Sequence, residues 1–359
     1  GAMGTQCGYF VPIQQNLDGF IDNDGNSLQD KAKEHEEKQR EKKKGANDPK
    51  ALDQYTAEHP FTPQEATLQV TANLFDVTSL KEQYNKIKSH GLESEGTAGV
   101  MYYNKDSKVS FRPTTDATPV YKFPHRKGDK TEGAVVLYQS PYLTQENEVP
   151  HNLYIICHDP YAQSKSTTNE SLGAAYVIKR PNNLSKPDDI IVASYVGRPQ
   201  TQDEYNRNLF MLAEYYNAKI GFENDRGELI AYAKRYRKLH KLQEEFEMLD
   251  KRELRSRNVK RQYGMHMTEA RKRQGEIYIR DWLNTVRSTD ETGKKLLNLH
   301  KIYDPALLTE LIKFNHSGNF DRVMSLMIGM YHTRELYNAE VKDIIEDRAT
   351  DKWFEQNYY

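Results

Sequence analysis

The sequence predicts an α/β fold, a mixed β-sheet flanked by helices, with a polar N-terminal extension ahead of it. Three observations predict this. Two short apolar, β-rich runs, within Asn152–Pro160 and Ala218–Gly227, read as buried strands, each closed off by Pro or Gly. Between them further strand-like runs lead into one amphipathic helical stripe. Ahead of them, residues 5 to about 60 are polar and irregular, without the apolar periodicity a core needs.

Taken in order, Gly1–Gly4 reads as an expression-vector remnant, and 5–95 as a linker with the tail of a preceding domain. Phe20–Asn26 is a turn-rich loop that lacks the glutamate spacing of a calcium-binding EF-hand. Gln29–Lys44 predicts a charged helix with almost no apolar face. Thr62 can cap a helix starting at Pro63, with Glu65 completing a capping box. The main domain is expected over 96–345, followed by a tail, 346–359. Its strands are expected at Gly99–Arg112, Gly133–Gln139, Leu153–Cys157, Ala174–Lys179 and Ile190–Tyr195, with a polar loop at Ser164–Glu170 and a hairpin at Pro181–Asp189. Thr201–Glu204 is a second capping box, and Tyr205, Leu209, Leu212, Ala213 and Tyr216 form one helical stripe. Strand Ala218–Phe222 follows, then a helix after Gly227. Val323, Leu326, Met327, Met330 and Tyr331 mark a last amphipathic helix. Three strands in hairpin succession, a helix, a strand ending in Glu223 and further helix is the order of the ribonuclease H-like fold.

Bulk composition sets limits. At 359 residues the chain has room for one large domain and a smaller accessory region. Two cysteines, Cys7 and Cys157, exclude a disulfide framework and point to a reducing compartment. No apolar run approaches the roughly 18 residues of a membrane span. The net charge of −1 conceals an asymmetry: Ala231–Arg280 holds 15 Lys or Arg against 7 Asp or Glu. A local basic block suits contact with a polyanion, although a charged helix over Lys234–Leu249 would by itself need only water.

The chemistry lies in the carboxylates. Asp159 and Glu223 each stand at the tip of a buried strand, where hard oxygen ligands can hold a divalent cation. Asp321, in the first turn of the last helix, supplies a third carboxylate, and Asp225 a reserve ligand. Taken singly, each has a plainer role as turn starter, loop acid or helix-start residue. The ordered trio on strand, strand and helix points instead to two Mg²⁺ or Mn²⁺ ions about 3.5–4 Å apart acting on a phosphodiester. Asp159 is expected to bridge them, with Glu223 and Asp321 each holding one. His158 and His316 are assigned packing or supporting roles, because no His/Cys cluster has zinc spacing.

With His158-Asp159-Pro160, Glu223-Asn224-Asp225-Arg226-Gly227 and Asp321 in this order, the chain resembles the nuclease domain of the large terminase subunit of tailed bacteriophages. His59–Ala66 is similar to the segment that closes that family's ATPase domain. The resemblance implies an endodeoxyribonuclease that cuts concatemeric viral DNA during packaging in the host cytoplasm, at the procapsid portal. It implies double-stranded DNA, a small terminase subunit and the portal as partners. ATP hydrolysis is expected only of a longer protein, since no G-x-x-x-x-G-K-[ST] loop occurs here. Within that reading Arg255, Arg257, Lys260, Arg261, Arg271, Lys272 and Arg273 are expected to contact the DNA backbone without reading sequence. The third motif departs from the family in offering a lone Asp321 where relatives carry adjacent acids. A resolvase- or transposase-type nuclease of the same fold, and an inactive nucleic-acid-binding scaffold, are the rival readings.

Overall fold

The computed structural model describes residues 10–44, 50–66, 73–91, 95–124, 128–161, 171–224, 228–246, 263–289, 293, 295–315 and 318–338. The chain divides into two compact units, Gly1–Asp76 and Val77–Tyr359.

In the first unit the charged run forms helix α1 (Gln29–Lys44), followed by α2 (Lys50–Glu58) and the single turn α3 (Pro63–Ala66). What holds a helix with so little apolar surface is polar. The Arg40 guanidinium donates to both Glu65 oxygens, at 3.1 and 2.9 Å, and to the His59 carbonyl at 2.8 Å, and lies 3.8 Å over the Phe61 ring. Glu65 also closes the capping box, its amide on Thr62 Oγ1 and its carboxylate accepting from the Phe61 amide.

The second unit opens with α4 (Val77–His90), whose Gln83 amide donates to the His300 and Ile302 carbonyls and fastens the helix to this unit. The expected strand Gly99–Arg112 is two: β1 (Thr97–Tyr103) and β2 (Val109–Pro113). Asn104 splits them, its side-chain oxygen accepting from the Asp106 and Lys108 amides in a tight turn. Strands β3 (Ala134–Leu137), β4 (Tyr154–Asp159), β5 (Gly173–Lys179), β6 (Ile190–Gly197) and β7 (Lys219–Phe222) complete a seven-stranded sheet of order β2-β1-β3-β6-β5-β4-β7. All neighbours are antiparallel except β4 and β7, which run parallel. Three antiparallel strands followed by a helix and a strand parallel to the first is the ribonuclease H-like arrangement, here widened by β1–β3.

Side-chain alternation divides the sheet's two faces. Ile156, Val177, Ala193, Ile220 and Phe222 pack with α5 (Gln202–Tyr215), capped by Thr201 as its sequence predicts. The other face receives the helix over 321–338: Ser325 Oγ donates to the Cys157 carbonyl, and Gly329 comes so close that an added Cβ would lie 2.9 Å from Cys157 Sγ. Helices α6 (Glu228–Arg235), α7 (Glu269–Leu283) and α8 (Pro305–Lys313), and the small hairpin β8 (Val286–Thr289) and β9 (Lys295–Leu297), surround this core. The helix over 321–338 is α9. The helix expected over Lys234–Leu249 ends instead at Arg235, because Arg237 takes a left-handed conformation (φ 57°) and the chain then follows β7 as an isolated bridge at Leu242.

Candidate functional site

One end of the sheet collects the three carboxylates. Strand β4 ends at Asp159, and β7 runs beside it in parallel with His158 opposite Phe222, so Asp159 and Glu223 extend from adjacent strand ends. The Glu223 amide donates to the His158 carbonyl at 3.4 Å. Ile156 and Phe222 belong to the α5-facing core, so strict alternation turns Asp159 and Glu223 toward the opposite, α9 face. Asp321 begins α9 and reaches the same end from that side. Its Oδ1 accepts from Ser171 Oγ and its Oδ2 from the Leu172 amide, both at 2.8 Å. Leu172 leads directly into β5, where Ala174 pairs with Asp159.

The environment of Asp321 is dry. Burial holds its carboxyl above the usual carboxylate range, against the pull of the Leu172 amide, the Ser171 hydroxyl, the Arg322 charge and the Asn319 amide. Behind it lies a buried ionic network that sequence reasoning did not find. Arg322, 1% exposed, donates to Glu310 at 2.8 Å and to the Val120 carbonyl, with its Nε 3.6 Å from Asp304. Tyr176 donates to Asp304 at 2.7 Å, and Asp304 caps α8 through the Ala306 and Leu307 amides. The Asp304-Pro305 pair is the one signal in the sequence that could have located it. The network fixes the start of α9, and hence Asp321, against β5 and α8.

On the α5 face a stack of aromatic rings backs the strand ends. Tyr205 lies 5.3 Å from His158, 4.6 Å from Tyr195 and 5.5 Å from Tyr161, centroid to centroid. Gly173 makes room for it: an added Cβ would meet the Tyr205 ring at 2.6 Å. Burial pushes the Tyr205 hydroxyl well above its ordinary range, and Asp159 and Asp321 both add to that shift behind the neighbouring tyrosines, so both charges reach it. His158 is buried and pushed down to about 4, hence neutral, its Nδ1–H donating to the Ala174 carbonyl at 3.2 Å. That is the supporting role expected of it. His316 and Asp225 lie outside the described residues.

The chain is similar to several solved structures, among them three of the large terminase nuclease from thermophilic phage G20c. They include a zinc-bound form (13% identity, 55% of this chain and 89% of that chain, TM-score 0.34) and a magnesium-bound form (12%, 56% and 89%, 0.35). A third is of the same nuclease (14%, 55% and 89%, 0.32). No family model and no curated protein matches the chain. At such identities and TM-scores the site must be read from its own geometry.

That geometry is incomplete as a metal centre. Among the described residues no three His, Cys, Asp or Glu side chains form a group that could hold an ion. The donor chemistry nevertheless fits a hard divalent cation: three carboxylates delivered to one sheet end, one of them buried among hydrogen-bond donors. Of the expected basic residues, Arg255, Arg257, Lys260 and Arg261 lie outside the described residues. Lys272, partly exposed and paired with Glu269, and the exposed Arg273 begin α7. Arg271 corrects the expectation: it is 5% exposed, its guanidinium on the His266 carbonyl at 2.7 Å and its own carbonyl accepting from Tyr331. Arg271, Gly275, Ile279 and Trp282 form the buried stripe of α7, and that spacing places Arg271 inside rather than on the solvent face. A cavity of about 540 Å³ lined by Arg180, Asp188, Trp282 and Arg334 lies at the other end of the sheet, beyond Lys179, which pairs with the start of β4.

Proposed function

We propose that this chain is a metal-dependent endonuclease acting on double-stranded DNA, the nuclease part of a viral genome-packaging terminase. The reading is carried by the convergence of Asp159, Glu223 and Asp321 on one end of the sheet from three separate elements. Asp159, Glu223 and Asp321, with Asp225 in reserve, would hold two Mg²⁺ or Mn²⁺ ions. Bound there, such ions would activate water and stabilise charge at the phosphate. The chain's own residues do the rest. His158, neutral and stacked on Tyr205, fixes the end of β4, and the Arg322 network seats Asp321. Arg255, Arg257, Lys260 and Arg261, with Lys272 and Arg273 at the start of α7, would hold the DNA backbone. The small subunit, the portal and a place at the procapsid in the host cytoplasm belong to the same proposal. No helix among the described residues is long and apolar enough to cross a membrane.

The rival is a scaffold of this fold that binds nucleic acid without cutting it, favoured by the lack of a preassembled three-ligand group among the described residues. Incubation with supercoiled plasmid in Mn²⁺, Mg²⁺ or EDTA, beside Asp159→Ala, separates them. Metal-dependent nicking that vanishes in the variant supports the nuclease. Salt-sensitive binding with no cleavage in any metal supports the scaffold.

A further inference from the structure

Asp159 and Asp321 come from elements far apart in sequence; the β4–β5 ladder sets Asp159 against Ala174, and the chain ends just beyond that ladder are tied by side chains. Pro160 and Tyr161 follow the end of β4; before β5, Ser171 and Leu172 hold the two oxygens of Asp321. Among the described residues, the Arg198 side chain touches both segments. Arg198, just beyond the end of β6, donates from Nη1 to the Ser171 carbonyl at 2.9 Å, and its guanidinium carbon lies 5.1 Å from the centroid of the Tyr161 ring. Its own backbone is tied down, its amide on the Thr131 carbonyl. The planar guanidinium suits both contacts at once, edge to a carbonyl and face to an aromatic ring, which a lysine ammonium cannot reproduce in full.

We propose that Arg198 is a positioning residue for the carboxylate site. It sets the Ser171–Leu172 cradle of Asp321 against the Tyr161 end of β4, and so fixes Asp321 relative to Asp159. The proposal rests on the nuclease reading in one respect only, that these carboxylates share a divalent cation. Supporting groups behind metal ligands typically govern affinity by 10- to 100-fold when removed, without touching the ion.

The test is isothermal titration of Mn²⁺ into the full chain and its Arg198→Met, Arg198→Lys, Ser171→Ala and Arg198→Met/Ser171→Ala variants, with plasmid affinity measured in EDTA. Arg198→Met is expected to weaken Mn²⁺ binding by about tenfold or more, and Arg198→Lys by less, with plasmid affinity unchanged. Because Arg198 acts through Ser171, the double variant is expected to lose less than the product of the single losses. Thermal unfolding checks that each variant is folded, and Arg198→Lys carries the test if Arg198→Met is not. Unchanged Mn²⁺ affinity in a folded Arg198→Met, multiplicative losses in the double variant, or a loss confined to plasmid affinity would each overturn the proposal; the last would make Arg198 a DNA contact. If the wild-type chain itself binds no Mn²⁺, the shared-cation reading fails, and this proposal with it. The two failures are therefore distinguishable.

Discussion

Replacing Arg322 by Met would strike the densest polar feature of the fold. The guanidinium is fully enclosed, and so is Glu310, to which it donates at 2.8 Å. Burial has already pushed the Glu310 carboxyl up to about 7, against the pull of Arg322, so the carboxylate depends on that partner to stay charged. The substitution also removes the donor to the Val120 carbonyl and the cation beside Asp304. Breaking a buried pair by deleting one member costs about 3–5 kcal/mol, because the surviving charge is left unpaired. For a unit of this size that is a fall in Tm of about 6–10 °C. Glu310→Gln in the same background removes the surviving charge, and the double variant is expected to recover at least about 1 kcal/mol relative to additivity. Urea unfolding at neutral pH, followed by circular dichroism with all four proteins, measures both quantities. A loss below about 1 kcal/mol for Arg322→Met, or strict additivity in the cycle, would refute the claim that this network seats α9.

Four further outcomes are expected. His158 is buried and titrates near 4 when folded, below its unfolded value of 6.5, so the unfolded chain binds the extra proton between those limits and stability falls as pH drops from about 6.5 toward 4. His158→Phe should lose less stability than wild type over that window, by up to roughly 3 kcal/mol; parallel pH–stability curves would contradict this. Gly173→Ala places a Cβ 2.6 Å from the Tyr205 ring and should cost about 1–3 kcal/mol in thermal unfolding, with no loss as the opposing result. Lys272→Ala/Arg273→Ala should lower the salt dependence of plasmid binding by up to about two counterions, read from affinities between 50 and 200 mM salt; an unchanged slope would remove both residues from the interface. Arg271→Ala should instead lower Tm and leave that slope alone, because its side chain is buried and donates to the protein's own His266 carbonyl.

The parts of this fold that are legible from sequence are those in which local chemistry and tertiary packing agree. Gln29–Lys44, the Thr201 cap and the strands on either side of Pro181–Asp189 stand where composition, capping and apolar strand patterning put them. The hairpin between β1 and β2 was less legible because Asn104 breaks the strand with one side-chain oxygen rather than with Gly or Pro. Helix α4 was missed because its weakly apolar face is completed by the Gln83 amide on carbonyls more than two hundred residues away. In the candidate site the strand-end carboxylates announce themselves by position. Ser171, Arg198, Glu310 and Arg322 do not: they are polar residues whose partners are distant in sequence, and no spacing rule links them. Arg271 shows the opposite hazard, a basic residue within a basic block that nevertheless belongs to a buried helical stripe.

Asp159, Glu223 and Asp321 are expected to act as one centre. Single-turnover cleavage of supercoiled plasmid in Mn²⁺, by wild type, Asp159→Asn, Glu223→Gln, Asp321→Asn and Asp159→Asn/Asp321→Asn, tests this most directly. The prediction is metal-dependent cleavage by wild type, a loss of about a thousandfold or more in each single variant, and no further loss in the double variant, as groups acting as a unit require. Cleavage that survives any of the three substitutions, or losses that multiply in the double variant, would contradict it.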